Sequence, residues 1–414
     1  MKKLAVRPRG TIGIVDIGTT KVCCFIARHG GSETQIVGIG HQVARGVKNG
    51  VIVDIDAASQ SILAAAHAAE QMAGETLTEV VVNLSGGFNA SRLVKSDISL
   101  NGREITDSDM RRVLDHGHGL KEPADRVVIH SIPVGFAVDH SRGIRDPRGM
   151  YAQKLGVNMH LVTAQAGAVR NLATCIGRCH LDIAALVVSP YAAGLAALVE
   201  DETELGVTVI DMGGGTTGIA VFAEGQVLHT AQLPVGGTHV TGDIARLLST
   251  TLAHAERLKT LYGNAESSPD DERELLPVPL IGEDEHQIAK VPRSMVVSII
   301  RPRLEETFEM ARDKLESSGL GRAAGTRLVL TGGACQLPGA REMAARILSR
   351  QVRRGRPHSL RGLPDVASGP AFATASGLLA WAAGDGRGMH DIDLDAERPS
   401  GLLRRILNFL RERV

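Results

Sequence analysis

Aromatic residues are scarce in this chain of 414 residues, which holds one Trp, three Tyr and seven Phe. Proteins that grip single-stranded nucleic acid on stacked rings need more than that. Net charge is missing as well: 46 Lys and Arg balance 46 Asp and Glu, so no global field draws in nucleic acid or a membrane surface. Any such affinity must be local, and no nucleic-acid partner is expected. No run of 18 apolar residues reads as a bilayer span. The first residues, Met1 to Arg9, are basic without the apolar stretch of a signal peptide, so a cytosolic chain is expected. The five cysteines (Cys23, Cys24, Cys175, Cys179, Cys335) are an odd number and read as reduced, buried thiols. Cys175 and Cys179 lie one helical turn apart beside His180, but a zinc site needs a fourth ligand in reach and none is expected there. The motif Gly-x-x-x-x-Gly-Lys-Ser/Thr is also absent, which disfavours a P-loop enzyme.

What the chain does have is a pair of glycine-bearing turns, each preceded by an acid: Asp16-Ile17-Gly18-Thr19-Thr20-Lys21 and Asp211-Met212-Gly213-Gly214-Gly215-Thr216-Thr217-Gly218. Each follows a short apolar run and leads into another. That is the pattern of a β-hairpin whose turn offers backbone N–H groups to phosphate, with Thr19, Thr20 and Lys21 as donors on one side and Gly213 to Thr217 on the other. The acids Asp16 and Asp211 are placed to hold a hydrated Mg²⁺. A third element, Leu328 to Ala334, is an apolar strand ending in Gly332-Gly333-Ala334 before a helix, a turn able to lie flat against a base or ribose. Three such turns in order outline a nucleotide clamp.

At this length two or more domains are expected. Strands are predicted at Ile12–Asp16, Lys21–Arg28 and Gln35–Val43, then a helix at Asp56–Met72 and a strand at Glu79–Leu84. The same grammar returns with strands at Val207–Asp211, Gly218–Ala223 and Gln226–Pro234 and a helix from near Thr238. This repetition predicts two halves of one α/β fold, each donating a phosphate turn. Residues 85–162 interrupt the first half with short strands and a helix at Thr106–Asp115 that opens on a capping box. They read as an inserted α+β subdomain. In the second half a charged stretch carries a helix at Met295–Leu315.

These residues resemble the actin-like ATPase superfamily: Asp16 to Lys21 matches its first phosphate loop, Asp211 to Gly218 its second, and Thr331 to Ala334 its adenosine motif. Ser189 to Gly194 and Gly369 to Gly377 look like its two connecting helices. Within that superfamily the chain resembles the FtsA family of bacterial cell division proteins, through Asp54-Ile55-Asp56, Asp146-Pro147-Arg148-Gly149-Met150, Gly236 to Ala245 and the strand Val329 to Gly333. The resemblance implies an actin-like two-domain fold of duplicated ribonuclease-H-like βββαβαβα halves. Subdomain IA would comprise residues 1–84, 163–203 and 367–385, and the inserted subdomain IC residues 85–162. Subdomain IIA would comprise 204–241 and 325–366, and IIB 242–324. The resemblance further implies ATP and Mg²⁺ as cofactors, with Gly236, Gly237, Glu256 and Lys259 near the nucleotide. Ser189 stands where hydrolysing members carry an acid, and a hydroxyl is a poor base at neutral pH, so ATP binding with slow or negligible ATPase activity is expected.

The implied role is to polymerise on the cytoplasmic face of the inner membrane at the division site and tether FtsZ filaments there. Arg293, Arg301 and Arg303 would take the acidic C-terminal peptide of FtsZ, for which guanidinium forks suit carboxylates. Residues 85–162 would contact a neighbouring subunit or later division proteins. The alternatives are an actin-fold small-molecule kinase and a pilus-assembly adaptor of the PilM type.

The last stretch supports a membrane role independently. Residues 386–400 have the Gly/Asp-rich composition of a flexible linker. Residues 401–414 carry four Arg and one Glu. Wound at about 100° per residue, Leu402, Leu403, Ile406, Leu407, Phe409 and Leu410 share one face, while Arg404, Arg405 and Arg411 lie on the other. A basic amphipathic helix of this kind lies in an anionic lipid interface. The other use of such a face is packing on the helix's own domain, which an Asp-rich linker disfavours.

Overall fold

A computed structural model describes residues 10–30, 33–119, 122–283, 288–321 and 323–384. The predicted linker (386–400) and terminal amphipathic helix (401–414) lie outside the described residues. The first lobe opens on strands β1 (Gly10–Ile17), β2 (Lys21–Gly30) and β3 (Glu33–Val43), a small ribbon of β4 (Val47–Lys48) and β5 (Val51–Ile52), helix α1 (Ile55–Ala73) and strand β6 (Glu79–Leu84). An insertion follows, with β7 (Ala90–Glu104), α2 (Asp107–His118), β8 (Arg126–Val138), β9 (Ser141–Ile144) and β10 (Tyr151–Gln165). The chain returns through α3 (Ala166–Arg178) and β11 (Asp182–Val188) and crosses over on α4 (Ser189–Ala197) and α5 (Glu200–Leu205). The second lobe holds β12 (Val207–Met212), β13 (Thr217–Ala223), β14 (Gln226–Leu233), α6 (Gly237–Leu247) and α7 (Leu252–Tyr262). It continues with β15 (Leu275–Pro279), β16 (Ile288–Pro292), α8 (Arg293–Ser317), β17 (Arg327–Thr331), α9 (Ala340–Leu348) and β18 (Gln351–Arg354), and α10 (Ala373–Ala383) leads back.

The two large sheets share one topology. Their orders are β3-β2-β1-β6-β11 and β14-β13-β12-β17-β18. In each, three consecutive strands pair antiparallel, and the last two run parallel to the first. A period of two explains why β2 is apolar throughout. Val22, Cys24 and Ile26 face α1 and α3, while Cys23, Phe25 and Ala27 face the connecting helices. In the second sheet Ile219 and Val221 face α6 and α8, and Ala220 and Phe222 face the connecting helices. Helices α4 and α10 thus share one core with both sheets, which is why neither shows a polar face along its buried length.

Local signals end these elements where capping chemistry dictates. The Asp54 carboxylate accepts the Ala57 N–H at 3.0 Å at the start of α1, and Gly74 closes it with a left-handed φ of 67°. At α2 the Asp109 carboxylate accepts the Thr106 N–H at 3.0 Å, the return half of a capping box. The helix predicted directly after Gly332-Gly333 starts later: a short 3-10 turn, Gly333–Gln336, comes first. Pro338 has no N–H to give, and the α-helix begins beyond it at Ala340. The insertion forms its own sheet, β7-β10-β8-β9, covered by α2 through Met110 and Val113. All five cysteines are buried, and burial pushes the Cys23 and Cys24 thiols up to about 12.

Candidate nucleotide site between the lobes

The two glycine turns are superimposable in their bonding. Gly18 N–H donates to the Lys21 carbonyl at 2.9 Å, and Gly213 N–H donates to the Thr216 carbonyl at 2.8 Å. In both, the acid sits two residues before the glycine, on the first strand of the hairpin, opposite Cys23 in one and Gly218 in the other. The turns face each other and touch. A Cβ on Gly214 would come within 2.6 Å of the Thr20 methyl, and one on Gly215 within 2.9 Å of the Thr19 methyl. The glycines of the second turn therefore make room for the threonines of the first. Thr19 is fixed in turn, because its hydroxyl accepts the Gly50 N–H at 3.1 Å.

Asp16 is buried and Asp211 is partly accessible. Burial pushes Asp16 up to about 6, against the opposing charge of Lys21. Burial, with the Asp16 charge adding to it, pushes Asp211 up to about 7, although the Thr374 hydroxyl donates to its carboxylate at 3.1 Å. Two acids held this way at the base of facing turns gain from a divalent cation, which would restore their charged forms. The residues present fit Mg²⁺ with a phosphate ligand in this respect.

Lys21 sits close enough to both acids for its charge to act on Asp16 and Asp211. Its ammonium donates to the Ala371 carbonyl at 2.5 Å and lies 3.3 Å from the centre of the Phe372 ring, fastening the first turn to the start of α10. Gly236 and Gly237 stand behind the second turn. Gly237 N–H donates to the Gly213 carbonyl at 3.0 Å and Thr238 N–H to the Gly214 carbonyl at 2.7 Å, so the first amides of α6 brace that turn. The Lys259 ammonium donates to the Gly237 carbonyl at 3.1 Å and to Glu256 at 2.7 Å, and Ala334 closes on Gly237 from the other side, 3.3 Å from a built Cβ. Gly332, at φ 83°, has no room for a Cβ against the Asp211 carboxylate and the Met212 carbonyl. The fold thus gathers Gly213 to Thr217, Gly236, Gly237, Glu256, Lys259 and Gly332 to Ala334 on one wall, with Asp16 to Thr20 on the other.

The three arginines are placed differently. Arg293 donates to the Tyr262 carbonyl at 2.9 Å and pairs with Glu274 at 3.2 Å; Arg303 pairs with Asp243 at 2.6 Å; Arg301 pairs with Glu305 at 3.1 Å. Arg293 opens α8 and Arg301 and Arg303 lie more than two turns further along it, but each already has an acidic partner in its own subdomain.

Two polar groupings were not anticipated from sequence. Asn83, at the end of the apolar strand Glu79–Leu84, is buried and bonded to Ser85, Ser189 and Ile17. Its signal was a lone amide in a run of valines and leucine. The second is a seam between the insertion and the second lobe: the Ser91 hydroxyl lies 2.6 Å from His160 Nε2 and accepts the Thr230 N–H at 3.1 Å. Burial pushes His160 down to about 3 and His130 down to about 4.

Residues 208–377 match the family model described as cell division protein FtsA, and residues 87–163 match the model of the SHS2 domain inserted in FtsA. The chain is 48% identical over 391 residues to cell division protein FtsA of Agrobacterium fabrum, covering 92% of this chain and 88% of that protein. The Escherichia coli protein of the same name is 31% identical over 377 residues, covering 88% of each. Among solved structures, the PilM-PilN type IV pilus biogenesis complex is similar with TM-score 0.63 at 18% identity, covering 92% of this chain and 99% of that one. MreB5 of Spiroplasma citri bound to ADP is similar with TM-score 0.56 at 13% identity, covering 91% and 97%. At those identities the two structures speak for an actin-like fold alone.

Proposed function

This chain belongs to the FtsA family of cell division proteins, and from that premise we propose that it is an ATP-binding, actin-like protein that polymerises on the cytoplasmic membrane and tethers FtsZ filaments to it during septum formation. The observation that carries the nucleotide reading is the facing pair of turns with Asp16 and Asp211 at their base. Gly213 to Thr217 and Gly18 to Lys21 would hold the phosphates of ATP with Gly236 and Gly237 beside them, Asp16 and Asp211 the Mg²⁺ through water, and Glu256, Lys259 and Gly332 to Ala334 the nucleoside. Magnesium would supply neutralisation of the phosphate charge. Turnover is slow or negligible, because the Ser189 hydroxyl is engaged with Ser85 at 2.7 Å and an alcohol is a poor base.

The tether is residues 401–414. Each Arg near an anionic surface contributes about 1 kcal/mol, and the buried Leu, Ile and Phe side chains add a few more. Ordering the peptide offsets part of this. One tail binds weakly, and a polymer carrying many tails binds firmly through effective concentration. The FtsZ C-terminal peptide would dock on the subdomain of Arg293, Arg301 and Arg303. A solvated i,i+4 pair such as Arg301–Glu305 is worth only a few tenths of a kcal/mol, so an acidic peptide displaces it at small cost. Residues 85–162 offer the surface for later division proteins, and the place of action is the inner membrane at the division site.

Electron microscopy on anionic lipid monolayers, with and without Mg-ATP, tests tether, polymer and nucleotide together. Filaments are expected with the full chain and ATP. A chain truncated after Gly386 that still coats the monolayer would remove the tether from the tail.

A further inference from the structure

A buried polar knot lies under the first phosphate turn. Strands β1, β6 and β11 run parallel side by side, with Val15 opposite Val82 and Leu84 opposite Val188. Their carboxyl ends therefore lie at one level, where ligands bind in open α/β sheets. Three segments meet there: the residue before Gly18, the end of β6, and the first residue of connecting helix α4. A single side chain joins all three.

Asn83 accepts the Ile17 N–H through Oδ1 at 2.6 Å, and its Nδ2 donates to Ser85 Oγ at 2.8 Å and Ser189 Oγ at 3.1 Å. The two serine oxygens are themselves 2.7 Å apart. Asn83 and Ser189 are 2% and 3% exposed. Nδ2 also reaches the Ile17 carbonyl at 3.3 Å, so its two N–H groups serve three acceptors and the amide holds both backbone polar groups of Ile17. A cavity of about 20 Å³, lined by Ile17, Gly50, Asn83 and Ser85 among others, adjoins this knot. It has room for one water or one ligand oxygen.

We propose that Asn83 is a positioning residue that ties the first phosphate turn to the amino end of helix α4, and that Ser189 passes the state of the bound phosphate to that helix. Oδ1 holds the Ile17 N–H, and Nδ2 holds the Ile17 carbonyl, which shares a peptide plane with the Gly18 N–H and so fixes the direction of that amide. The donor side fixes Ser189, the first residue of α4. A change in the turn, such as loss of a terminal phosphate, must move Ile17, and Asn83 cannot follow without breaking a bond to a serine. The burial makes each of these bonds costly to leave unmade. This inference rests on the nucleotide reading above and assigns the link within the same site.

The test uses the full chain and titration calorimetry with Mg-ATP and Mg-ADP, together with hydrogen exchange. The wild type comes first: failure to bind either nucleotide ends the nucleotide reading and this inference with it. Given binding, Asn83→Ala is expected to weaken both nucleotides tenfold or more and to speed exchange at Ile17 and Gly18. Ser189→Ala leaves the Asn83–Ile17 bond in place. It is expected to keep ATP binding while narrowing the ATP-to-ADP affinity ratio several-fold, and to lose the ATP-dependent protection of α4 amides expected of the wild type. A merely structural serine would lower the melting temperature and leave that ratio and that protection alone. Either a wild-type ratio in Ser189→Ala or wild-type affinities in Asn83→Ala would overturn the proposal with the nucleotide reading intact.

Discussion

Gly377 of α10 packs directly on the carbonyl oxygen of Ala192 in α4, with no room for a Cβ between them. The two connecting helices therefore cross at backbone contact, in the middle of the core that both sheets share. Gly377→Ala is expected to cost about 3 kcal/mol, because a buried methyl group has to push one helix off the other. Urea unfolding of the two proteins measures it, and a loss under about 0.5 kcal/mol, the size of an ordinary surface change, would contradict the close crossing.

The contact between the turns predicts coupling. Gly215→Ala should destabilise the ligand-free chain, since its methyl group would meet the Thr19 side chain. Thr19→Ala removes both obstructing atoms, the hydroxyl and the methyl, so the double variant should recover part of that loss. An interaction energy of about 0.5–3 kcal/mol is expected in a double-mutant cycle from chemical denaturation, and strict additivity would mean that the turns do not touch.

Asp16 and Asp211 predict an inverted pH profile for the ligand-free protein. Their folded values, about 6 and about 7, lie above those of the unfolded chain. Stability linked to them is fully present below the unfolded value, near about pH 4, and is lost as pH rises through 6 and 7. Melting temperature should fall between pH 5 and pH 8. Asp211→Asn should flatten that fall, and a variant with the wild-type slope would contradict the shift.

Asp109 works in the opposite direction. The Arg103 guanidinium beside it holds its carboxyl well below the usual range, with Thr106 adding hydrogen bonds. Its contribution is present above the unfolded value, about pH 4, and is lost as pH falls below that. Asp109→Ala should cost about 1–3 kcal/mol, moderated because Arg103 is half exposed, and should unfold the insertion first in acid. Hydrogen exchange across residues 90–165 follows this directly.

For the FtsZ peptide, the internal pairs rank the arginines. Arg301→Glu should weaken binding of the FtsZ C-terminal peptide several-fold, since Arg301 is the most exposed of the three. Arg303→Glu should lower stability as well, because Asp243 loses its nearer partner and keeps only Arg246, at 3.5 Å. Unchanged peptide affinity in both by fluorescence anisotropy would move the docking site elsewhere.

The hairpins, the repeated α/β grammar and the insertion's capped helix were legible because each rests on neighbours in sequence: an apolar run, an acid, a glycine, a Thr three residues before an Asp. The helix predicted at Asp56–Met72 runs Ile55–Ala73, and the strand at Glu79–Leu84 matches in full. The reverse holds for long-range partners. Lys21 reads as a phosphate donor, and its contacts with Ala371 and Phe372, from the far end of the chain, come only with the fold. Arg303 reads as a vacant fork until Asp243 is folded against it. Ser189 reads as a missing base, and only strand pairing brings Ser85 and Asn83 to it.

The touching turns have one more consequence. Two copies of the first turn would collide, threonine on threonine, and two copies of the second would leave a gap where those methyl groups now sit. Only the mixed pair closes, as a knob in a socket. The lobes repeat each other strand for strand, yet their meeting point has a front and a back. Anything held there would meet the side chains of Thr19 and Thr20 from one side and the glycine main chain of Gly213 to Gly215 from the other.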